Sequence, residues 1–281
     1  MPDTSTPLTG GGWMALPGRG RAWAWDSGPA PHPGGATVVL LHGWTSTAAL
    51  NWHRCFRPLA RRHRVVAMDH RGHGRGIRSP KPFTLEDCAD DVAALVDLLG
   101  TGPVVVAGYS MGGPIAQLLW RRHPEVVRGL VLCATSTRFG DVRLPGRATQ
   151  AVGVGLSLAL AAVPASVLEQ VRRRLGLAPD TTGMAAWAVA ESGYGDPISY
   201  VQAGAAVAAF DARRWITEVD VPTAVIVTGR DPLVPPLRQM AMAEAIPGAA
   251  VLTVDADHHA CVQDAGRFVP ALLDAVDLVS A

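Results

Sequence analysis

Residues 103–122 read PVVVAGYSMGGPIAQLLWRR. The first six are a short β-branched run bounded by Pro103 and Gly108. The last dozen space their apolar side chains as a helix does. Between them sits Gly108-Tyr109-Ser110-Met111-Gly112, a G-x-S-x-G motif at a strand-to-helix turn. In that context the motif predicts a nucleophile elbow: a turn so tight that small residues must flank the serine at both −2 and +2. The turn holds the Ser110 hydroxyl above the carboxyl end of a sheet. The helix N-terminus beneath it favours developing negative charge.

Working outward, five further apolar runs share the pattern: 36–41 (ATVVLL), 65–68 (VVAM), 130–134 (LVLCA), 224–229 (AVIVTG) and 249–254 (AAVLTV). None alternates apolar with polar, so each reads as a strand covered on both faces, as in a parallel sheet. Helical patterns lie between them, over 84–99, 111–122, 236–246 and 267–279. Thr84 caps the first and Gly100 stops it. The fold class is therefore α/β, a doubly wound, mostly parallel sheet. Residues 138–215 break the alternation, with helical pieces at 148–163, 164–175, 182–193 and 200–215. This reads as a helical cap inserted into a core formed by 1–137 and 216–281, with 1–12 as a mobile polar tail.

A serine hydroxyl needs a base, and elbow enzymes place nucleophile, acid and histidine in that chain order. After the last run comes Asp255-Ala256-Asp257-His258-His259, which offers His258 or His259. After the run before it comes Gly229-Arg230-Asp231-Pro232, which offers Asp231 to orient the imidazole. The end of the 130–134 run carries no carboxylate. Oxyanion donors are expected at the N–H of Met111 and, after the 36–41 run (His42-Gly43-Trp44-Thr45), at that of Trp44. His42, Gly43, Tyr109 and Trp187 are weaker candidates for the substrate pocket, with His42 also read as a brace for its loop.

Composition narrows the function classes. The net charge is +1, so no global field recruits nucleic acid or an anionic membrane. Of 25 basic residues one, Lys81, is lysine, but the arginines are scattered rather than striped. The longest apolar run, 151–163, is too short for a bilayer span. The N-terminus lacks the charged and apolar regions of a secretion signal. Cys55, Cys88, Cys133 and Cys261 are dispersed with no C-x-x-C pair, which fits a reducing cytoplasm. No H-E-x-x-H appears, so neither metal nor cofactor is expected. The expected partner is a small-molecule substrate. Oligomeric state is left open.

Taken together, the chain resembles the α/β-hydrolase superfamily of esterase, lipase and haloperoxidase type. The marks are the His42-Gly43 loop, the elbow, the Gly229-x-Asp231 acid loop, the late histidine and a D-x-R-G-x-G-like turn at Asp69-His70-Arg71-Gly72-His73-Gly74. The resemblance covers roughly 36–137 and 216–270. It implies His258 as the base, from the family spacing to Phe268, and structural roles for His70 and His73. Asp257 stands where relatives commonly have glycine. A serine nucleophile and HGWT rather than HGxP argue against epoxide hydrolases and haloalkane dehalogenases. The implied activity is cleavage of an apolar carboxylic ester through an acyl-enzyme. The same triad also serves thioesterases, lactonases, C–C hydrolases, perhydrolases or haloperoxidases, and acyltransferases or cyclases. A ligand-binding receptor on this scaffold is the reading from another class.

Overall fold

The computed structural model describes residues 10–140 and 183–280. Eight strands form one sheet in the order β1-β2-β4-β3-β5-β6-β7-β8. They are β1 (Gly12–Leu16), β2 (Gly20–Asp26), β3 (Thr37–Leu41), β4 (Arg64–Met68), β5 (Val104–Tyr109), β6 (Val127–Cys133), β7 (Thr223–Thr228) and β8 (Ala250–Val254). From β4 to β8 all pairings are parallel, while β1 pairs antiparallel with β2, and β2 with β4.

The six apolar runs of the sequence are the six parallel strands; β3 to β7 are buried on both faces as expected, whereas β8 is corrected, because at the sheet edge Val251 and Thr253 are exposed and only its other face is covered. Val39 and Leu41, Val66 and Met68, and Leu130 and Leu132 point to one face; Val38 and Leu40, Val65 and Ala67, and Val131 and Cys133 point to the other. Helices cover both faces. Helix α1 (Ala48–Ala60) and the C-terminal α7 (Ala265–Ser280) lie on one, through Trp52, Phe56, Phe268 and Leu272. On the other lie α2 (Leu85–Leu99), α3 (Gly112–Arg122) and α6 (Pro236–Ala245), through Val92, Leu95, Ile115, Leu119 and Met242. As expected, Thr84 caps α2, accepting from the Asp87 N–H, and Gly100 closes it in the left-handed conformation (φ 58°).

Between β6 and β7 the described residues form α4 (Gly183–Ser192) and α5 (Pro197–Ala209). The expected helices at 148–163 and 164–175, and the apolar run 151–163, lie outside the described residues. The expected helix 200–215 is corrected: α5 ends at Ala209. Phe210 and Ala212 turn inward to the core, and the Ala212 N–H donates to Thr137 O at 2.9 Å, so burial overrides helical continuation. The tail is also shorter than expected, because Gly12 already pairs with Ala24 in the hairpin. The α4–α5 pair docks on the 69–78 turn. Arg75 makes a double hydrogen bond to Glu191 (2.8 and 3.2 Å) and lies over the Tyr194 ring, and Gln202 accepts from the Phe83 N–H at 2.8 Å. Among the described residues no helix is long and apolar enough to cross a membrane.

Candidate active site

Ser110 stands at the end of β5 with φ 52°, the left-handed region that an L side chain adopts at a cost on the order of 1–3 kcal/mol. The flanking glycines make this bend sterically possible. A Cβ at Gly108 would come within 2.3 Å of Gly112 O, and one at Gly112 within 2.2 Å of Leu41 O. The bend is held from β6: the Ser110 N–H donates to Cys133 O (3.0 Å), and the Thr135 hydroxyl donates to Ser110 O (2.8 Å).

Two loops from far along the chain converge on this hydroxyl. The Ser110 Oγ–H faces His258 Nε2 at 3.0 Å, and His258 Nδ1–H donates to Asp231 Oδ2 at 2.7 Å. The carboxylate fixes the tautomer by requiring the proton on Nδ1. This leaves Nε2 with a lone pair to accept the serine proton. Asp231 follows β7 and is almost fully buried. Burial works to raise its pKa. The hydrogen bonds from His258, the Val234 N–H and Thr228 outweigh that and hold it below the usual carboxylate range. Its Oδ1 accepts from Leu233 N–H (2.9 Å) and Val234 N–H (2.8 Å), and its Oδ2 from the Thr228 hydroxyl (2.8 Å).

His259, the alternative base, is exposed and turned aside, 3.7 Å from Asp257. Trp44 and Met111 both line the cavity above Ser110, and among the described residues neither backbone N–H donates to another protein group. The Trp44 indole N–H donates to Tyr200 O of α5 at 2.7 Å.

The weaker pocket candidates separate. Gly43 borders the site, and its N–H is held by Asn51 Oδ1 at 3.0 Å. Tyr109 is buried. Its ring packs on Trp52, Phe268 and His258, and its hydroxyl donates to His258 O at 2.8 Å. His42 has no exposed surface and is not brought to the site. Its Nδ1–H donates to Gly43 O (2.8 Å) and its Nε2 accepts from the His70 N–H (2.9 Å). Trp187 is not brought there either, and packs on His53 of α1 with ring centroids 5.3 Å apart.

Three supporting residues escaped the sequence reading. Gln239 of α6 is fully buried; it accepts from the Thr228 N–H and donates to Val234 O, stiffening the acid loop. Asn51 links the 42–45 loop, through the Gly43 N–H, to Cys261 Sγ at 3.4 Å. Thr135 grips the elbow from the loop that follows β6. A single polar residue inside an amphipathic helix or a loop gives no sequence signal of such a role. All four cysteines are buried and unpaired, and burial pushes the Cys261 thiol up to about 12, so it stays protonated at neutral pH.

A cavity of about 420 Å³ opens from Ser110, with an apolar lining that includes Met111, Phe139, Val207, Leu233 and Val234. Residues 36–265 match the family model for the alpha/beta hydrolase fold. The chain belongs to the alpha/beta hydrolase family. This hydrolase is 29% identical over 234 residues to RutD of Azorhizobium caulinodans, described as a candidate carbamate hydrolase, with 81% of the chain and 86% of the relative covered. It is 29% identical over 247 residues to the pimeloyl-[acyl-carrier protein] methyl ester esterase of Chromobacterium violaceum, covering 86% and 95%. A solved structure of a thermophilic esterase from Thermogutta terrifontis shares the fold, with a TM-score of 0.74, 24% identity and coverage of 97% and 100%.

Proposed function

We propose that this hydrolase is a serine esterase that cleaves uncharged, largely apolar carboxylic esters through a covalent acyl-enzyme. One observation carries the reading: an unbroken hydrogen-bonded line from Ser110 Oγ through His258 to a buried Asp231, opening into an apolar cavity. His258 takes the serine proton as Oγ attacks the carbonyl carbon. Asp231 holds the imidazole in register and stabilises the imidazolium. The oxyanion rests on the N–H groups of Trp44 and Met111. His258 then protonates the leaving alcohol, activates a water, and the acyl group departs as the acid. Residues 138–215 act as the cap, with α5 as the roof of the cavity. No cofactor or metal enters the scheme. The four thiols suit a reducing compartment. The esterase names among the relatives agree with this reading, while the carbamate hydrolase shows how readily the same chemistry serves a neighbouring acyl class.

A fluorophosphonate probe tests the nucleophile. The wild type should label stoichiometrically and Ser110→Ala should not. On p-nitrophenyl esters Ser110→Ala should lose on the order of 10⁶ in kcat. Labelling that survives in Ser110→Ala would end this assignment. Full labelling without turnover of any ester would leave the activated serine and remove the esterase reading.

A further inference from the structure

The 42–45 loop and the loop that carries His258 come from opposite ends of the chain, and one side chain bonds to both. Asn51 lies in the first turn of α1 and is almost fully buried. Its Oδ1 accepts from the Gly43 N–H at 3.0 Å, and its Nδ2–H donates to Cys261 Sγ at 3.4 Å. The Gly43 N–H requires an acceptor, so the carboxamide is held one way round. Burial keeps the Cys261 thiol protonated, so its sulfur serves here as an acceptor and not as a nucleophile. Gly43, Asn51 and Cys261 all border a cavity of about 120 Å³ beside Ser110 and His258. Gly43 itself sits between the carboxamide and the nucleophile: a Cβ there would lie 3.4 Å from Ser110 Cβ and 3.5 Å from Asn51 Oδ1.

We infer that Asn51 is a positioning residue, a strut that sets the gap between the Trp44 N–H and the His258 imidazole so that both act on one carbonyl group at Ser110. This inference rests on the reading above, in which Trp44 supplies an oxyanion donor. Three observations carry it. The first is the clamp on Gly43. A glycine left to itself samples a wide range of φ and ψ. Asn51 grips the peptide before Gly43 Cα, and His42 grips the one after it, its Nδ1–H donating to Gly43 O at 2.8 Å. In a planar trans peptide the N–H points opposite to the C=O, so the Trp44 N–H is turned away from His42. The second is the link to the base. Cys261 follows His258 in a run of tight turns, with the Ala260 N–H on Asp257 O and the Val262 N–H on His259 O, so the position of the thiol is passed to the imidazole. The third is the root of the strut. Helix α1 is capped by Thr47 and buries Trp52 and Phe56 in the core, so the carboxamide stands on a rigid element. Outright loss of one oxyanion donor costs roughly 10²–10³ in kcat, and a donor displaced but kept should cost less.

Saturation kinetics on a p-nitrophenyl ester test this. Asn51→Leu keeps the bulk and removes both bonds; kcat should fall about thirtyfold with KM held within about twofold. Cys261→Ala cuts only the far link, and kcat should fall about threefold. In the Asn51→Leu background the same Cys261→Ala change should cost less than about 1.5-fold, because the thiol acts through the carboxamide. The second-order rate of fluorophosphonate labelling at Ser110 is read in parallel, since phosphonylation builds the same negative oxygen. It should fall with kcat in each variant. A folded Asn51→Leu protein with the wild-type kcat and labelling rate overturns the inference. So does a rise in KM alone, which makes the carboxamide a substrate contact, and so do additive losses, which make the two residues independent packing sites. Should Asn51→Leu fail to fold, Cys261→Ala decides by itself, and an unchanged kcat and labelling rate overturn the strut. If the wild type labels but cleaves no ester, the esterase reading falls, and the labelling rates of the variants still decide the role of Asn51.

Discussion

A hydroxyl on a buried ring can matter to a reaction it never touches. Tyr109 precedes the nucleophile in the chain, and its phenol donates to the carbonyl of His258. It therefore ties the last loop to the end of β5, the strand that presents Ser110. Tyr109→Phe keeps the packing on Trp52 and Phe268 and deletes one hydrogen bond worth about 1 kcal/mol. The expected result is a three- to tenfold fall in kcat with KM unchanged, read from saturation curves on a p-nitrophenyl ester. A KM effect with intact kcat would show the phenol to be a substrate contact instead. The three residues that the structure brings together were legible at this scale. Ser110 is marked by its glycines, Asp231 by the run before it, and His258 by its place after the last run and its spacing to Phe268. Tyr109, expected at the pocket, does border a small cavity beside Ser110, but its hydroxyl bond to the His258 carbonyl cannot be read from its place in the chain. Gln239 and Asn51 were invisible for a related reason: their meaning lies in partners 5 to 11 and 8 to 210 residues away.

At the scale of elements, burial on two faces made five of the six parallel strands readable, while β8, covered on one face, was readable from its apolar composition, and lack of such a run concealed the hairpin. Strand β2 alternates Ala22, Trp23, Ala24 and Trp25, small against large rather than apolar against polar, although Pro17-Gly18 before it is a turn signal. Helix α1 was hidden in the same way. Its Arg and His residues dilute the apolar stripe, and Pro58 lies within it. The elements also explain why the 42–45 loop and α5 belong together. Trp44 lays its indole against Gly204 of α5, where an added Cβ would come within 2.6 Å of the ring, while its N–H bonds to Tyr200 O. Gly204→Ala should therefore shift Trp44 and its backbone N–H and lower kcat about tenfold or more on the same ester. The smaller ring of Trp44→Phe should remove the clash, so Gly204→Ala should cost little in that background. A double-mutant cycle measures this coupling, with more than about 1 kcal/mol expected. Strict additivity would mean that α5 merely roofs the cavity.

Behind the 42–45 loop the molecule carries a cluster of histidines that burial keeps neutral. His42, His70 and His73 are buried together, with the His42 ring centroid 4.3 Å from His70 and 5.5 Å from His73. Burial lowers all three. His70 is held to about 3 and His73 to about 4, and His42 lies well below the ordinary histidine range, its neighbouring imidazoles adding to the effect. The unfolded chain protonates these rings near pH 6.5 and the folded chain does not, so stability is complete above that pH and falls as pH drops toward 4. Asp69 works the other way. Burial raises it to about 6, so between pH 6 and 4 the folded protein holds a proton that the unfolded chain releases. For this cluster, three protons taken up on unfolding against one released by Asp69 leaves a net two, a slope on the order of 3 kcal/mol per pH unit in that window, and His53 and His63, also lowered by burial, add to it in the same direction. Urea midpoints should be level from pH 8 to 7 and fall steeply from 6 to 5. Neither ring nitrogen of His70 has a hydrogen-bond partner among the described residues, so His70→Phe removes a latent proton acceptor without orphaning a bond. That variant should show a distinctly shallower slope while unfolding at a similar urea concentration at pH 8. A wild-type protein equally stable at pH 5 and 7, or a slope untouched by His70→Phe, would mean that acid stability is governed elsewhere in the molecule.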